Sequence, residues 1–209
     1  MKRRVATWWW LVILAGTFAS AAPALAASID LPRAGQVGIS LQGGYGTLLE
    51  SGDVGDVFGA GPAYAVRLRY RMRYERGIGL SFENHSLDAR TKTAFNPAFP
   101  DSASPEELSL ILSGVEFYQM FGTRTKTTKL LSIGAGLAQL RTDLNTGETE
   151  LDGVTSGDGL YVSVGAGIER FFFRSWAWDL SARYFAMFKD GEPTHDVQGA
   201  LGIIFYAGY

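Results

Sequence analysis

Apolar and polar residues alternate one by one along most of this chain, and the pattern returns in eight stretches. In 36–46, Val37, Ile39, Leu41 and Tyr45 fall on one face, with Gln36, Gly38, Ser40, Gln42 and Gly44 on the other. In 63–73 the contrast sharpens: Tyr64, Val66, Leu68, Tyr70 and Met72 alternate with Ala65, Arg67, Arg69, Arg71 and Arg73. The stretches 77–85, 130–140, 160–170, 176–185 and 197–209 repeat the theme. A period of two is the signature of half-buried strands, so each stretch is predicted to be a strand of about ten residues. The fourth, 108–120, changes parity near Ser113–Gly114, as a β-bulge would cause. No helix is required anywhere.

The connections also alternate. Those at 74–76, 121–129 and 171–175 are short and either neutral (74–76) or net basic, whereas the intervening ones are longer and net acidic. Long and short connections taking turns are expected of an up-and-down membrane barrel with short periplasmic turns and longer extracellular loops. A soluble sandwich has no reason to sort them so. The predicted fold is all-β: an eight-stranded antiparallel up-and-down transmembrane β-barrel.

Composition agrees. The 209 residues include 26 glycines, 13% aromatic residues, 19% charged residues and no cysteine. Glycine at about 12% exceeds the ~7% of ordinary domains, and low charge argues against disorder or a coiled coil. The missing cysteines exclude a disulfide scaffold and thiolate metal sites. Two histidines leave little room for a zinc site, and a net charge of −2 argues against a nucleic-acid surface. No cofactor and no metal site are expected.

The first residues form an address. Lys2, Arg3 and Arg4 precede the apolar run from Trp8 to Ala15, and Ala24 and Ala26 supply an A-x-A cleavage signal. We divide the chain into a signal peptide (1–26), a short periplasmic leader (27–35) and a barrel domain (36–209). Exported and without a spanning apolar run, such a chain is either soluble or a membrane barrel. A lipocalin-like soluble barrel would carry its apolar face inside and its charges outside. Here the apolar face is almost free of charge and suits lipid, while the small, polar face suits a narrow eight-strand interior.

That polar face carries charges of both signs. A tight turn at 74–76 would align Arg67 with Glu83, Arg69 with Ser81 and Arg71 with Gly79. The same turn sets Leu68 opposite Phe82 and Tyr70 opposite Leu80. Adding Arg183, Glu116, Glu169 and Asp179 gives four cations and four anions inside. Unpaired charges in so narrow a space are costly, so a salt-bridge network that seals the interior is expected. A narrow ion path along the same charges is the alternative.

The chain resembles the small eight-stranded outer-membrane barrels of the OmpA transmembrane-domain and OmpX type, often called porin-family proteins. The resemblance covers about residues 36–209. It is carried by the glycine-alternating segments 131–137 and 162–169 and by 178–184, similar to the family's seventh strand. The end of the chain is similar to the family's assembly signal, with Leu201, Ile203, Phe205 and a terminal aromatic, Tyr209. It departs in ending on Tyr rather than Phe and in having Ala207 where an aromatic is common. The resemblance implies an outer-membrane location. It implies as partners outer-membrane lipid, lipopolysaccharide and, during insertion, the barrel-assembly machinery. The family spans anchors, adhesins, resistance factors and enzymes, so activity stays open.

Similar barrels include lipid A deacylases and palmitoyltransferases, which work near the extracellular rim. The candidates there are His85–Ser86 and His195–Asp196. A deacylase-like site needs His and Ser two residues apart, on one face of a strand, whereas these are adjacent. No catalytic residues are therefore assigned. The long connections are acidic, with Glu50, Asp53 and Asp56 in the first and Asp143, Glu148, Glu150, Asp152 and Asp158 in the third. No EF-hand spacing is present, and a hydrated surface with loosely held divalent ions is expected. The expected role is structural or surface-interacting, through these loops toward an unidentified extracellular ligand.

Overall fold

A computed structural model of the chain describes residues 29, 31–49, 58–73, 75–88, 107–142, 157–188 and 193–207. The expected signal peptide, Glu50, Asp53, Asp56, Asp143, Glu148, Glu150, Asp152 and Tyr209 lie outside these residues.

Eight strands follow in order: β1 Val37–Leu48, β2 Ala60–Arg71, β3 Arg76–Asp88, β4 Glu107–Phe121, β5 Thr127–Thr142, β6 Gly157–Phe173, β7 Trp176–Phe188 and β8 Thr194–Ala207. Each pairs antiparallel with its sequence neighbours, and β8 closes on β1. The described residues contain no helix. All eight strands run one to three residues further toward the long connections than their alternation alone indicates. The last long connection shrinks thereby to 189–193, while 49–59, 89–106 and 143–156 remain long and 72–75, 122–126 and 174–175 short.

Closure sets the dimensions. Partners followed from Ile204 run through Ser40, Arg67, Ser81, Gly114, Gly136, Tyr161 and Met187, and arrive back on β8 at Thr194. The ladder is thus staggered by ten residues around eight strands. With ~4.8 Å between strands and ~3.3 Å per residue, that stagger tilts the strands about 40° and gives a radius of about 8 Å. A cylinder of that radius has an interior just wide enough for side chains to fill.

Outward positions are apolar and open: Leu41, Tyr64 and Ile133 are each more than 60% exposed. Outward-facing aromatics gather toward both ends, with Trp176 against Phe205 and Phe172 against Trp178 by the short turns, and Tyr45 and Phe188 by the long connections. Inward positions hold every charge of the expected network in a buried state. The arrangement inverts that of a soluble barrel.

Two expectations need correction. The β2–β3 register is offset by two from the predicted one: Arg67 faces Ser81, Arg69 faces Gly79, Arg71 faces Gly77, Leu68 faces Leu80 and Tyr70 faces Ile78. The cause is the next strand. Arg76 pairs with Gln119, and Met120 N–H donates to the Glu75 carbonyl at 2.7 Å, so β3 claims residues assigned to the turn. A shift of two leaves every side chain on its own face. Strand β4, in turn, has no bulge: its ladders with β3 and β5 run without a register shift. Even-numbered residues face inward throughout, from Leu108, Leu110 and Leu112 to Glu116, Tyr118 and Met120. What changes near Ser113–Gly114 is the chemistry of the interior. The one irregularity among the described ladders lies in β6, between Phe171 and Phe173.

Candidate functional site

The charged layer sits across the middle of the barrel, and its parts come from strands that are not all neighbours. Arg67 Nη2 lies 2.9 Å from Glu83 Oε1. Arg69 bridges β6 and β7, with Nη1 2.6 Å from Glu169 Oε1 and Nη2 2.9 Å from Asp179 Oδ2. Arg71 Nη2 reaches Glu169 Oε2 at 3.0 Å. Arg183 pairs closely with Glu116 and approaches Glu83 Oε1 at 3.5 Å. All eight residues are nine-tenths or more buried. Arg67 and Glu83, not directly opposite, meet as a diagonal pair, which a long side chain spans.

Glycine makes the room. Arg69 stands opposite Gly79, Arg71 opposite Gly77, Glu116 between Gly79 and Gly134, Asp179 opposite Gly202 and Arg183 opposite Gly165. A Cβ on Gly165 would come within 3.0 Å of the Arg183 stem, and one on Gly134 within 3.1 Å of the Glu116 stem. The glycine alternation of β5 and β6 is therefore volume compensation for long charged side chains in a narrow cylinder.

Several partners escaped the sequence reading. Tyr118 and Tyr206 point inward; their hydroxyls donate to Glu116 and, at 2.7 Å, to Glu169 Oε1. Their rings lie 5.0 Å from the Arg69 guanidinium and 4.7 Å from that of Arg71. Ser40 Oγ donates to Asp179 Oδ2 at 2.8 Å. Each shares the parity of a recognised interior residue on its own strand or its partner. A tyrosine in an alternating strand reads as apolar, which hides its hydroxyl.

His85 is the larger surprise. It was expected at the rim but is fully buried inside, on the same face of β3 as Glu83. Its Nδ1 is 3.0 Å from Asp196 Oδ2, and its Nε2 is 3.8 Å from Glu83 Oε2. Ser86 lies on the opposite face, so the two do not form a His–Ser unit. His195 lies on the outer side of β8, stacked on Tyr184 with its Nδ1 2.7 Å from the tyrosine hydroxyl. Among the described residues no three histidine, aspartate or glutamate side chains converge as metal ligands.

Apolar layers cap the charges at both ends. Toward the long connections, Leu48, Phe58, Leu87, Leu108, Leu110, Leu112, Leu140, Phe185 and Met187 form one buried cluster. Toward the short turns, Phe171, Ala177, Ile204 and Tyr206 form another, and Ile29 and Leu31 of the leader pack against it.

No family model matches the chain, and no curated protein matches its sequence. Solved structures do match its shape. Neisserial surface protein A superposes with a TM-score of 0.57 at 12% identity, covering 82% of this chain and 98% of that one. The N-terminal β-barrel domain of Pseudomonas aeruginosa OprF gives 0.54 at 14% identity, covering 84% and 100%. The outer membrane protein OprG of the same organism gives 0.53 at 12%, covering 87% and 100%. The fold is that of the small eight-stranded outer-membrane barrels.

Proposed function

We propose that this chain is a non-enzymatic barrel of the outer membrane of a diderm bacterium. Its lumen is sealed by the charged layer, and its long acidic loops meet a ligand outside the cell. The observation that carries this reading is the inversion of the barrel. Apolar side chains stand open on the outside, and paired charges are buried within. In water such an exterior would expose a continuous apolar surface far beyond the few hundred Å² that soluble monomers tolerate; in lipid it is the favourable arrangement.

Residues 1–26 act in this reading as a cleaved signal peptide, and the short turns face the periplasm. Lipopolysaccharide surrounds the outer rim, and the alternating Leu201, Ile203 and Phe205, with Tyr209, are read by the assembly machinery. Removing 1–26 from the precursor, seen by mass spectrometry of the exported chain, supports the address. Outer-membrane fractionation with heat-modifiable gel migration supports the barrel; a chain that partitions as soluble contradicts it.

Sealing and non-enzymatic action have their own tests. Planar bilayers with the purified chain should show no steady conductance, and open-channel steps would favour the ion path. Overexpression should leave the lipid A acyl pattern unchanged; a change abolished by His85→Ala would make the chain a lipid A-modifying enzyme.

A further inference from the structure

The short-turn end of the barrel holds a pocket that the sealed lumen does not use. It lies between the β2–β3 and β4–β5 turns, has a volume of about 680 Å³, and is lined by Arg73, Glu75, Arg76, Thr123 and Arg124, with Gly122 and Thr125. Its walls are braced. Arg73 N–H donates to the Arg76 carbonyl at 3.1 Å, and Met120 N–H to that of Glu75 at 2.7 Å, which ties one turn to the next strand. Gly122 takes a φ of 72°, and Thr125 Oγ donates to its carbonyl at 2.8 Å. Among the described residues, none of the three guanidinium groups is held in an ion pair, in contrast to every arginine of the charged layer.

Phe121, which precedes Gly122, opens a second depression. This groove of about 620 Å³ runs over the outer face past Lys129, Leu131, Ala166, Ala182 and Gly199. Ala166, Ala182 and Gly199 are successive cross-strand partners, and a Cβ on Gly199 would meet open space. A polar pocket with three cations and one anion and an apolar channel are thus lined by consecutive residues, Gly122 and Phe121, where β4 meets its short turn.

We propose that the two together bind one phospholipid with a phosphoethanolamine headgroup, from the leaflet beside the short turns. Arg73, Arg76 and Arg124 take the phosphate diester through charge-assisted hydrogen bonds, Glu75 takes the primary ammonium, and an acyl chain lies in the groove. A headgroup of both charges fits a pocket of both charges; a glycerol headgroup would leave Glu75 without a cation, and a quaternary ammonium would offer it no N–H donor. The site rests on the membrane placement proposed above.

Native mass spectrometry of the full chain, released from detergent with phosphatidylethanolamine, phosphatidylglycerol or phosphatidylcholine of matched chains, tests it. The parent should retain one phosphatidylethanolamine about tenfold better than either other lipid. The triple variant Arg73→Ala, Arg76→Ala, Arg124→Ala should lose it, and Glu75→Gln should erase the headgroup preference while still binding phosphatidylglycerol. Gly199→Leu should weaken lipid but leave competition by soluble glycerophosphoethanolamine unchanged. Should the triple variant not fold, the exposed Glu75→Gln still reads the selectivity. Equal retention of all three lipids by the parent, a preference for phosphatidylglycerol, or full lipid binding by Gly199→Leu overturns the proposal. Loss of heat-modifiable migration in the parent would instead overturn the membrane placement.

Discussion

The lumen has two regions built on the same inward positions of the same strands, and they are held together differently. In the middle, Arg67, Arg69, Arg71 and Arg183 interlock with Glu83, Glu116, Glu169 and Asp179. Toward the long connections, Leu48, Leu87, Leu108, Leu110, Leu112, Phe185 and Met187 fill the space. Strand β4 passes through both, carrying Leu108, Leu110 and Leu112 above and Glu116 below. Apolar packing degrades gradually, because each lost methylene removes a little contact. A buried charge network fails in large steps, because removing one member leaves its partner desolvated and unpaired. The charged layer is held by pairing across strands; the apolar layer is held by packing toward the long connections.

Substitutions should separate the two. The largest effect is expected for Glu169→Ala, which strips Arg71 of its ion-pair partner, removes one of the two partners of Arg69 and leaves the Tyr206 hydroxyl without its acceptor. It should cost about 5 kcal/mol in urea unfolding from lipid vesicles, the upper end for breaking a buried ionic group. A charge on the outer face comes next. Ile133→Arg, near the middle of β5, should cost about 2–4 kcal/mol by the same measurement. Leu110→Ala, in the apolar layer, should cost about 2–3 kcal/mol without altering gel migration. The smallest effect belongs to His195→Ala at the outer rim, about 1 kcal/mol or less for the lost Tyr184 contact. If Leu110→Ala proved worse than Glu169→Ala, the contrast between the layers would be reversed.

How much of this was legible follows from the same contrast. Where the interior is polar, alternation separates the two faces, as in β2, where Arg67, Arg69 and Arg71 alternate with Leu68 and Tyr70. Where the interior turns apolar, both faces look alike. The strands were accordingly cut short at that end, and the interior leucines of β4 passed for a bulge. Register depends on hydrogen bonds between a turn and the next strand, such as Met120 to Glu75, which leave no periodic trace. His85 shares its face with Glu83, so its inward aim was readable; its partner Asp196 comes from the far end of the chain, and only closure brings them together.

The central claim is that the interior charges act as interlocked pairs, and a double-mutant cycle on Arg67 and Glu83 tests it most directly. Among the described residues Glu83 is the only ion-pair partner of Arg67. Glu83→Ala should destabilise the barrel by about 3 kcal/mol, leaving a buried guanidinium alone. Adding Arg67→Ala should recover part of that loss, with a coupling of about 1–3 kcal/mol between the two positions. Single variants that unfold in urea like the parent, with no coupling, would contradict the account.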